Sequence, residues 1–174
     1  MGKRSLCLIP SQALQVTQVL TTKPMRPIDV GRLHVDFYVK AHLRQTPLSA
    51  LAGMPAPLAV SSPEATALDL IAFSYRLGGI RRVTEVVADL KRVMSLVGLR
   101  TALRAETQTS VKQRLGYVLS ILGLDRMAEE VRRTLPKRLA VALLQSQAPV
   151  ARRTRDVRQP WMVLDNVGLE TERT

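Results

Sequence analysis

The sequence predicts an α+β domain in which a central layer of four or five helices is joined by short strands from both ends of the chain. Three sections carry this prediction. The first, residues 13–60, alternates apolar and polar side chains or is rich in β-branched residues. The second, residues 63–135, repeats apolar residues at helical spacing. The third, residues 137–174, returns to short apolar runs, RLAVALL and PWMVLDN, which we expect to be strands.

The first section contains a half-buried strand and a second strand candidate. In RLHVDFYVK the apolar residues recur at every second position, which is the period of a strand with one buried face. Upstream, LQVTQVLTT has the composition of a strand, and KPMRPIDVGR between them has the proline and glycine of turns. PLAV, residues 57–60, is a further short strand. We expect residues 1–13 to be a flexible start and residues 14–174 to form one domain.

The helical section contains three amphipathic stretches beyond its first helix. IRRVTEVVADLKRVMSLVG is predicted to be one helix that Gly98 ends. TSVKQRLGYVLSILG is predicted to end at Gly123, and DRMAEEVRRTL to begin with Asp125 as N-cap, with Pro136 following it.

The stretch SSPEATALDLIAFSYRLGG predicts a buried helix with a strong start signal. Ser62 precedes a proline, so its backbone is kept out of the α region and its hydroxyl can cap the helix that Pro63 begins. Glu64 suits the positive end of the helix dipole, and Gly78 with Gly79 ends the helix. A nucleophilic serine would need a histidine and an oxyanion donor, which no pattern in the sequence suggests. We therefore interpret Ser62 as structural.

Other candidate sites are weak in the sequence, and we predict no catalytic, cofactor-binding or metal-binding residues. Asp69 on the buried helix could act as a general acid or base, but a structural pair with an arginine is the commoner role of such a carboxylate. His34 and His42 have no partner at metal-ligand spacing, so a solvated or hydrogen-bonded histidine is expected. The single cysteine and the absence of a long apolar run favour a cytoplasmic protein without membrane attachment.

The chain is strongly basic, with a formal net charge of +12 spread along its length. Such a charge favours anionic partners, although an arginine-rich proteome would produce the same excess. Aromatic residues make up 3%, too few for rows of base-stacking side chains. The loop QSQAPVARRTRDVRQ concentrates the charge, and it either contacts phosphates weakly without reading sequence or is a solvated loop. Its candidate contact residues are Arg152, Arg153, Arg155 and Arg158.

An ordered set of motifs resembles a known family. QVLTTKPMRPIDVGRLHVDFYVK, then AVSSPEATALDLIAFSYRLGGIRRVTEVVADL, then QRLGYVL is similar to the C-terminal domain of the AbiEi antitoxins of type IV toxin–antitoxin, or abortive-infection, systems. The likeness runs from about Leu14 to about Asn166. The residues that carry it are Ser62, Pro63, Glu64, Asp69, Gly78, Gly79, Gln113, Arg114 and Gly116.

The resemblance implies a bacterial, cytoplasmic, non-catalytic antitoxin that counteracts a nucleotidyltransferase-like toxin encoded by the neighbouring gene, by direct contact or through the toxin's target. Family members usually also repress transcription through an N-terminal winged-helix domain. Nothing in residues 1–13 resembles one, so we expect a truncated member without operator-specific DNA binding. The alternative is a basic accessory protein or regulator fragment that binds nucleic acid without sequence preference, and an enzyme is a more remote third class.

Overall fold

The computed structural model of the chain describes residues 5–8, 15–49, 59–148 and 157–169, and over these residues the fold is α+β as predicted. Five α-helices lie in the central part of the chain, and short 3-10 turns at Leu43–Gln45 and Ser74–Arg76 accompany them. The helices are α1 Pro63–Ala72, α2 Ile80–Leu90, α3 Leu96–Ala105, α4 Thr109–Ile121 and α5 Asp125–Arg133.

Strands from the two ends of the chain form two separate sheets. The first has the order β3-β4-β2-β1-β6-β5 and the second the order β7-β9-β8. Their bounds are β1 Ser5–Leu8, β2 Gln15–Thr21, β3 Ile28–Val30, β4 Leu33–Val39, β5 Leu48–Ser49, β6 Val60–Ser61, β7 Ala142–Leu143, β8 Val157–Arg158 and β9 Val163–Leu164.

The strands predicted from alternation and β-branching form the centre of the first sheet. The predicted RLHVDFYVK strand is β4, and it pairs in parallel with β2, the strand predicted upstream, over seven residues from Gln15 to Thr21. The intervening segment, predicted as turns, also contains β3, which forms a hairpin with β4 around Gly31 (φ +60°). Of the predicted strand at residues 57–60, the structure describes the end, where Val60 begins β6.

One strand of the first sheet comes from the start of the chain, for which the sequence predicts flexibility. Ser5–Leu8 forms β1, which pairs antiparallel with β2 and contacts β6 through the Leu6–Val60 pair. The other residues of the predicted flexible start lie outside the described ranges. Four residues are too few to show the periodic pattern of a strand. β1 forms because the backbone N–H and C=O groups of β2 hydrogen-bond with it, and the sequence does not show that β2 lies beside this segment.

The main hydrophobic core lies among the helices. In α1 all residues from Glu64 to Ile71 are buried, which confirms the prediction of a buried helix. Side chains of α2, α3 and α4 close around it, with Val87, Leu99 and Leu115 fully buried. A smaller cluster of Leu20, Tyr38 and Leu43, with Phe73 and Leu77 packed against it, joins the first sheet to the end of α1.

The predicted long helix of residues 80–98 is wrong, because the chain makes two helices there. α2 ends at Leu90, and α3 begins after Ser95, whose side chain accepts a hydrogen bond from the backbone N–H of Gly98. Gly98 therefore lies in the first turn of α3 and does not end a helix. The apolar spacing continues through the break in the sequence, but Val93 and Val97, which the prediction counts in the apolar stripe, are exposed.

Two other helix boundaries also differ from the sequence prediction. α1 ends at Ala72, and a 3-10 turn leads to Gly78 (φ +83°) and Gly79 (φ +90°), which separate it from α2. Gly123 (φ +69°) follows α4 as predicted. Asp125 is the first residue of α5 and not its N-cap, because Leu124 holds the cap position without a side-chain hydrogen bond.

The second sheet docks on α4. The two predicted strands are shorter than expected: RLAVALL contains the two-residue β7, and PWMVLDN contains the two-residue β9. β7 and β9 pair in parallel, and β8 pairs antiparallel with β9. β8 was not predicted, since Val157 and Arg158 belong to the stretch that was expected to be a loop.

Candidate functional site

Ser62 is a helix cap. Its hydroxyl accepts a hydrogen bond from the backbone N–H of Ala65 at 3.2 Å, its backbone is extended, and Pro63 follows it at the first helical position. The cap satisfies one of the four N–H groups that a helix start leaves without a partner. The structure thus contains the N-cap that the sequence predicts at Ser62.

Glu64 holds two helix starts together. It is 3% exposed, and one carboxylate oxygen accepts hydrogen bonds from the backbone N–H of Ser95 at 2.7 Å and from its hydroxyl at 3.2 Å. A methyl group at Gly98 would overlap this carboxylate, so the close approach of α3 requires glycine there. Glu64 thus does more than complement the dipole of α1, because it fixes α3 against α1.

Gln113, Arg114 and Gly116 attach the second sheet to α4. The buried Gln113 amide donates to the backbone oxygens of Ala140 and Trp161, each at 2.9 Å. Arg114 donates to the backbone oxygen of Leu143 at 2.7 Å. A methyl group at Gly116 would overlap the Trp161 ring. These motif residues hold the second sheet against α4, and their partners lie too far along the chain for the sequence to identify them.

The start of α2, just after Gly78 and Gly79, contacts the C-terminal part of the chain that contains the second sheet. Gly79 has the N-cap position of α2 and no side chain to offer. The amide oxygen of Gln145 takes over that role, accepting a hydrogen bond from the backbone N–H of Ile80 at 2.7 Å. Gln145 was not predicted from the sequence, and no local signal marks it.

Asp69 is the motif residue whose polar atoms are least satisfied. It is 7% exposed, and its Oδ1 accepts a hydrogen bond from Nζ of Lys40 at 2.6 Å, so the expected arginine partner is a lysine. Among the described residues, its Oδ2 has no hydrogen-bond partner. Burial raises the pKa of Asp69 from 3.8 to about 6, although the Lys40 charge and hydrogen bond oppose that rise.

A groove of about 350 Å³ lies beside Asp69, within the size range of ligand sites in proteins. Three parts of the fold line it: the end of β4 with the turn that follows, the end of α1, and the connection between α3 and α4. The lining includes Lys40, Asp69, Phe73, Tyr75, Glu106 and Gln108. Glu106 is 8% exposed, and its carboxylate accepts a hydrogen bond from the backbone N–H of Gln108 at 2.7 Å.

A cluster of aromatic side chains lies next to the α1 side of this groove. The rings of Tyr38 and Phe73 lie 5.1 Å apart in a tilted arrangement. The guanidinium of Arg76 lies over both Tyr38 and Tyr75, at 5.4 and 5.6 Å from the ring centroids. Such contacts favour a cation beside an aromatic face.

His34 is hydrogen-bonded, which agrees with the sequence prediction. Its Nδ1 lies 2.6 Å from Oδ1 of Asp29, and its Nε2 lies 3.4 Å from Oδ1 of Asp36. The hydrogen bond to Asp29 raises the pKa of His34. Within the part of the chain that the structure describes, no cluster of three or more histidine, cysteine or acidic residues could hold a metal ion.

The basic stretch is only partly visible. Arg152, Arg153 and Arg155 lie outside the described residues, so their contact with nucleic acid stays a prediction. Arg158 is described, and it lies half-buried in β8 instead of in a loop. The described helices also include none with the length and apolar character needed to cross a membrane.

Comparison with known protein families identifies a match over most of the described chain. The family described as the AbiEi antitoxin C-terminal domain matches residues 9–121, which is more than half of the chain and includes the groove and helices α1 to α4. No curated protein and no solved structure matches the chain.

Proposed function

Because the chain belongs to the AbiEi antitoxin family, we propose that it is a non-catalytic antitoxin of a type IV system that counteracts a nucleotidyltransferase-like toxin. The neighbouring gene would encode that toxin, and both proteins would act in the bacterial cytoplasm. An antitoxin-type role is what the family match supports directly. The kind of toxin, the type of system and the compartment are the proposed part.

The family match over residues 9–121 is the observation that carries this proposal. The positions of the resembling residues support a non-catalytic protein. The Ser62 hydroxyl is engaged by the backbone of Ala65, the Glu64 carboxylate by Ser95, and Gln113 by the second sheet. All three side chains are buried and hydrogen-bonded to other parts of the fold, which supports a role in maintaining the structure.

Growth rescue by co-expression tests the proposal. The protein is expressed from one promoter and the toxin of the neighbouring gene from another, after the toxin alone has been shown to stop growth. We expect growth to be restored by the intact chain. A matched control is Gly116→Leu, which drives a side chain into the Trp161 ring and should lose rescue together with folded protein. Failure of the intact, folded chain to restore growth would contradict the antitoxin assignment.

A second function, weak binding of nucleic acid without sequence preference, is favoured by the net charge of +12. We propose Arg152, Arg153 and Arg155 as the residues that bind phosphate. Changing the three arginines to alanine should reduce the steepness of the plot of log affinity against log salt concentration. The slope should become shallower by roughly 0.7 to 0.9 for each phosphate contact that is lost. Preference among sequences should stay unchanged.

The matched control for that experiment removes the same charge from exposed positions elsewhere: Arg82 on α2, Arg92 in the turn after α2, and Arg104 on α3. Fluorescence anisotropy with a labelled duplex at several salt concentrations measures both triple variants. Equal slopes for the two would show that total charge, and not the arginines near residue 153, determines binding.

A further inference from the structure

A pocket of about 270 Å³ lies at the end of α5, separate from the groove described above. The last turns of α5, the connection from α5 to β7 and the side chain of Pro160 form its walls. The charged residues of this α5 pocket are Arg132, Arg133, Lys137 and Glu129, so its lining has three positive charges and one negative charge. Convergent charged groups between apolar walls are the usual form of a small-molecule site.

The two arginines are oriented by a carboxylate and keep donors for a further acceptor. Nε of Arg132 lies 3.1 Å from the carboxylate of Glu129, and Nε of Arg133 lies 3.5 Å from the same group. Nη1 of Arg133 donates to Glu130 at 3.0 Å. Within the described part of the chain, Nη1 and Nη2 of Arg132 and Nη2 of Arg133 have no hydrogen-bond partner. Glu129 therefore fixes two guanidinium groups whose outer nitrogens can bind a ligand.

Lys137 adds a third donor to the pocket. Its side chain is exposed, and none of the described residues forms an ion pair or hydrogen bond with its ammonium group. The fork of an arginine matches pairs of phosphate oxygens, and the ammonium of a lysine adds a point charge to the same ligand. Because Glu129 offsets only one of the three cations, the pocket attracts an anion.

The other half of the lining is apolar, which distinguishes the pocket from a basic surface patch. Leu135 and Leu139 are half-buried in it, and Pro136 and Pro160 are exposed. A bare phosphate ion would leave these four side chains facing water. A ligand with a flat, weakly polar group next to its phosphate covers them and gains hydrophobic free energy. A nucleoside phosphate contains both parts.

We propose that the α5 pocket binds a free nucleotide, with its phosphate groups on Arg132, Arg133 and Lys137 and its base on the leucine and proline side chains. A pocket of this volume has room for one nucleotide, whereas binding along a nucleic-acid strand uses positive charges over several phosphates. The site uses residues other than the arginines proposed above as phosphate contacts. It also does not depend on the antitoxin function.

Isothermal titration of the full chain with each of the four ribonucleoside triphosphates tests the site. We expect saturable binding of at least one of them, with a Kd at or below about 1 mM. The matching nucleoside and inorganic triphosphate should each bind ~10-fold or more weakly, since the first lacks the charge and the second leaves the apolar walls uncovered. Absence of saturable binding for all four would overturn the proposal, and inorganic triphosphate that bound as tightly as a nucleotide would overturn the contact with the base.

Two consecutive residues provide a matched pair of variants. Lys137→Gln removes a charge from the lining, and Arg138→Gln removes the same charge from the next residue, which is exposed and lies outside the lining. We expect nucleotide affinity to fall ~10-fold for Lys137→Gln and to stay within about 2-fold of wild type for Arg138→Gln. Equal losses would show that net charge attracts the nucleotide, and the site would be wrong.

The arginine fork has its own pair of variants. Arg132→Lys keeps the charge but loses the paired donors, so we expect nucleotide affinity to fall by ~5-fold or more. Arg126→Lys, at an exposed position on α5 outside the lining, is the control and should bind like wild type. Unchanged binding by Arg132→Lys would overturn the guanidinium contact.

A single-stranded oligonucleotide without a terminal phosphate distinguishes nucleic acid from a free nucleotide as the ligand. Wild type and Lys137→Gln should bind it with affinities within about 2-fold of each other, because its phosphates lie along a strand and do not enter the pocket. A ~10-fold loss of oligonucleotide affinity in Lys137→Gln would make the pocket a nucleic-acid contact and would overturn the proposal.

Discussion

Glu64 and Asp69 are two buried carboxylates on the same helix, and their surroundings differ sharply. Glu64, at the start of α1, accepts hydrogen bonds from the backbone and hydroxyl of Ser95 and has the neighbouring helix packed closely around it. Asp69, near the end of α1, has Lys40 as its partner, an oxygen without a hydrogen bond among the described residues and a groove beside it. Both are less than a tenth exposed.

The difference separates a carboxylate whose burial is fully compensated from one whose burial is not. Burial of a charged group costs free energy unless hydrogen bonds and opposite charges compensate for it. At Glu64 the fold supplies backbone and side-chain donors, so the group stabilises the packing of α1 on α3. At Asp69 the compensation is incomplete, and the pKa of its carboxyl is therefore raised. Burial alone would not have distinguished the two.

Removing the Glu64 side chain should produce the largest effect on stability. Glu64→Ala takes away the acceptor for the Ser95 N–H and leaves a space between α1 and α3, so we expect a loss of about 4 kcal/mol in the free energy of unfolding. Urea denaturation measures it. Glu85→Ala, at an exposed position on α2, is the matched control and should change stability by less than about 0.5 kcal/mol. A loss below about 1 kcal/mol for Glu64→Ala would refute the structural role.

Asp69 should make the stability of the protein depend on pH. Because the folded-state pKa of about 6 lies above the unfolded value of 3.8, protonation favours the folded state. This contribution is complete below about pH 4 and is lost as the pH rises through about 6. Relative to Asp69→Asn, wild type should therefore lose about 2 kcal/mol of unfolding free energy between pH 4 and pH 7. Urea denaturation at several pH values measures the difference, and parallel pH profiles for the two proteins would show that burial does not raise this pKa.

Loss of the Ser62 cap should have the smallest effect of the three. Ser62→Ala removes the acceptor for the Ala65 N–H and should cost ~1 kcal/mol of unfolding free energy. Ser146→Ala, at an exposed position outside the helices, is the control and should be nearly neutral. Growth rescue should fall only in proportion to folded protein. A Ser62→Ala protein of unchanged stability that no longer rescued growth would make Ser62 a functional residue after all.

Features with local causes were predictable from the sequence. The cap at Ser62 depends on three consecutive residues, and the β4 strand on its own alternation. The glycine after α4 follows from the end of an apolar stripe at Gly123. The order of the family motifs also predicted the family, which the match over residues 9–121 confirms.

Features with distant causes were not predictable. Gly98 resembles a helix stop in sequence, but its role is set by the Glu64 carboxylate, which lies in another helix. The sequence around Gln113 does not indicate that its side chain donates to the backbone oxygens of Ala140 and Trp161. The groove needs Lys40, Asp69 and Glu106 together, and these lie in three separate segments of the chain. A periodic pattern describes one element and carries no information on which elements meet.

Urea denaturation of Glu64→Gln and Asp69→Asn at pH 7 tests the central distinction most directly. Each variant removes one charge from α1 and preserves the side chain's shape. We predict that Glu64→Gln loses about 2 kcal/mol of unfolding free energy, because the Ser95 N–H loses a charged acceptor. Asp69→Asn should lose less than about 1 kcal/mol, because burial disfavours the charge that it removes. Equal losses for the two variants would show that the burial of Asp69 is compensated as fully as that of Glu64, which would contradict the distinction.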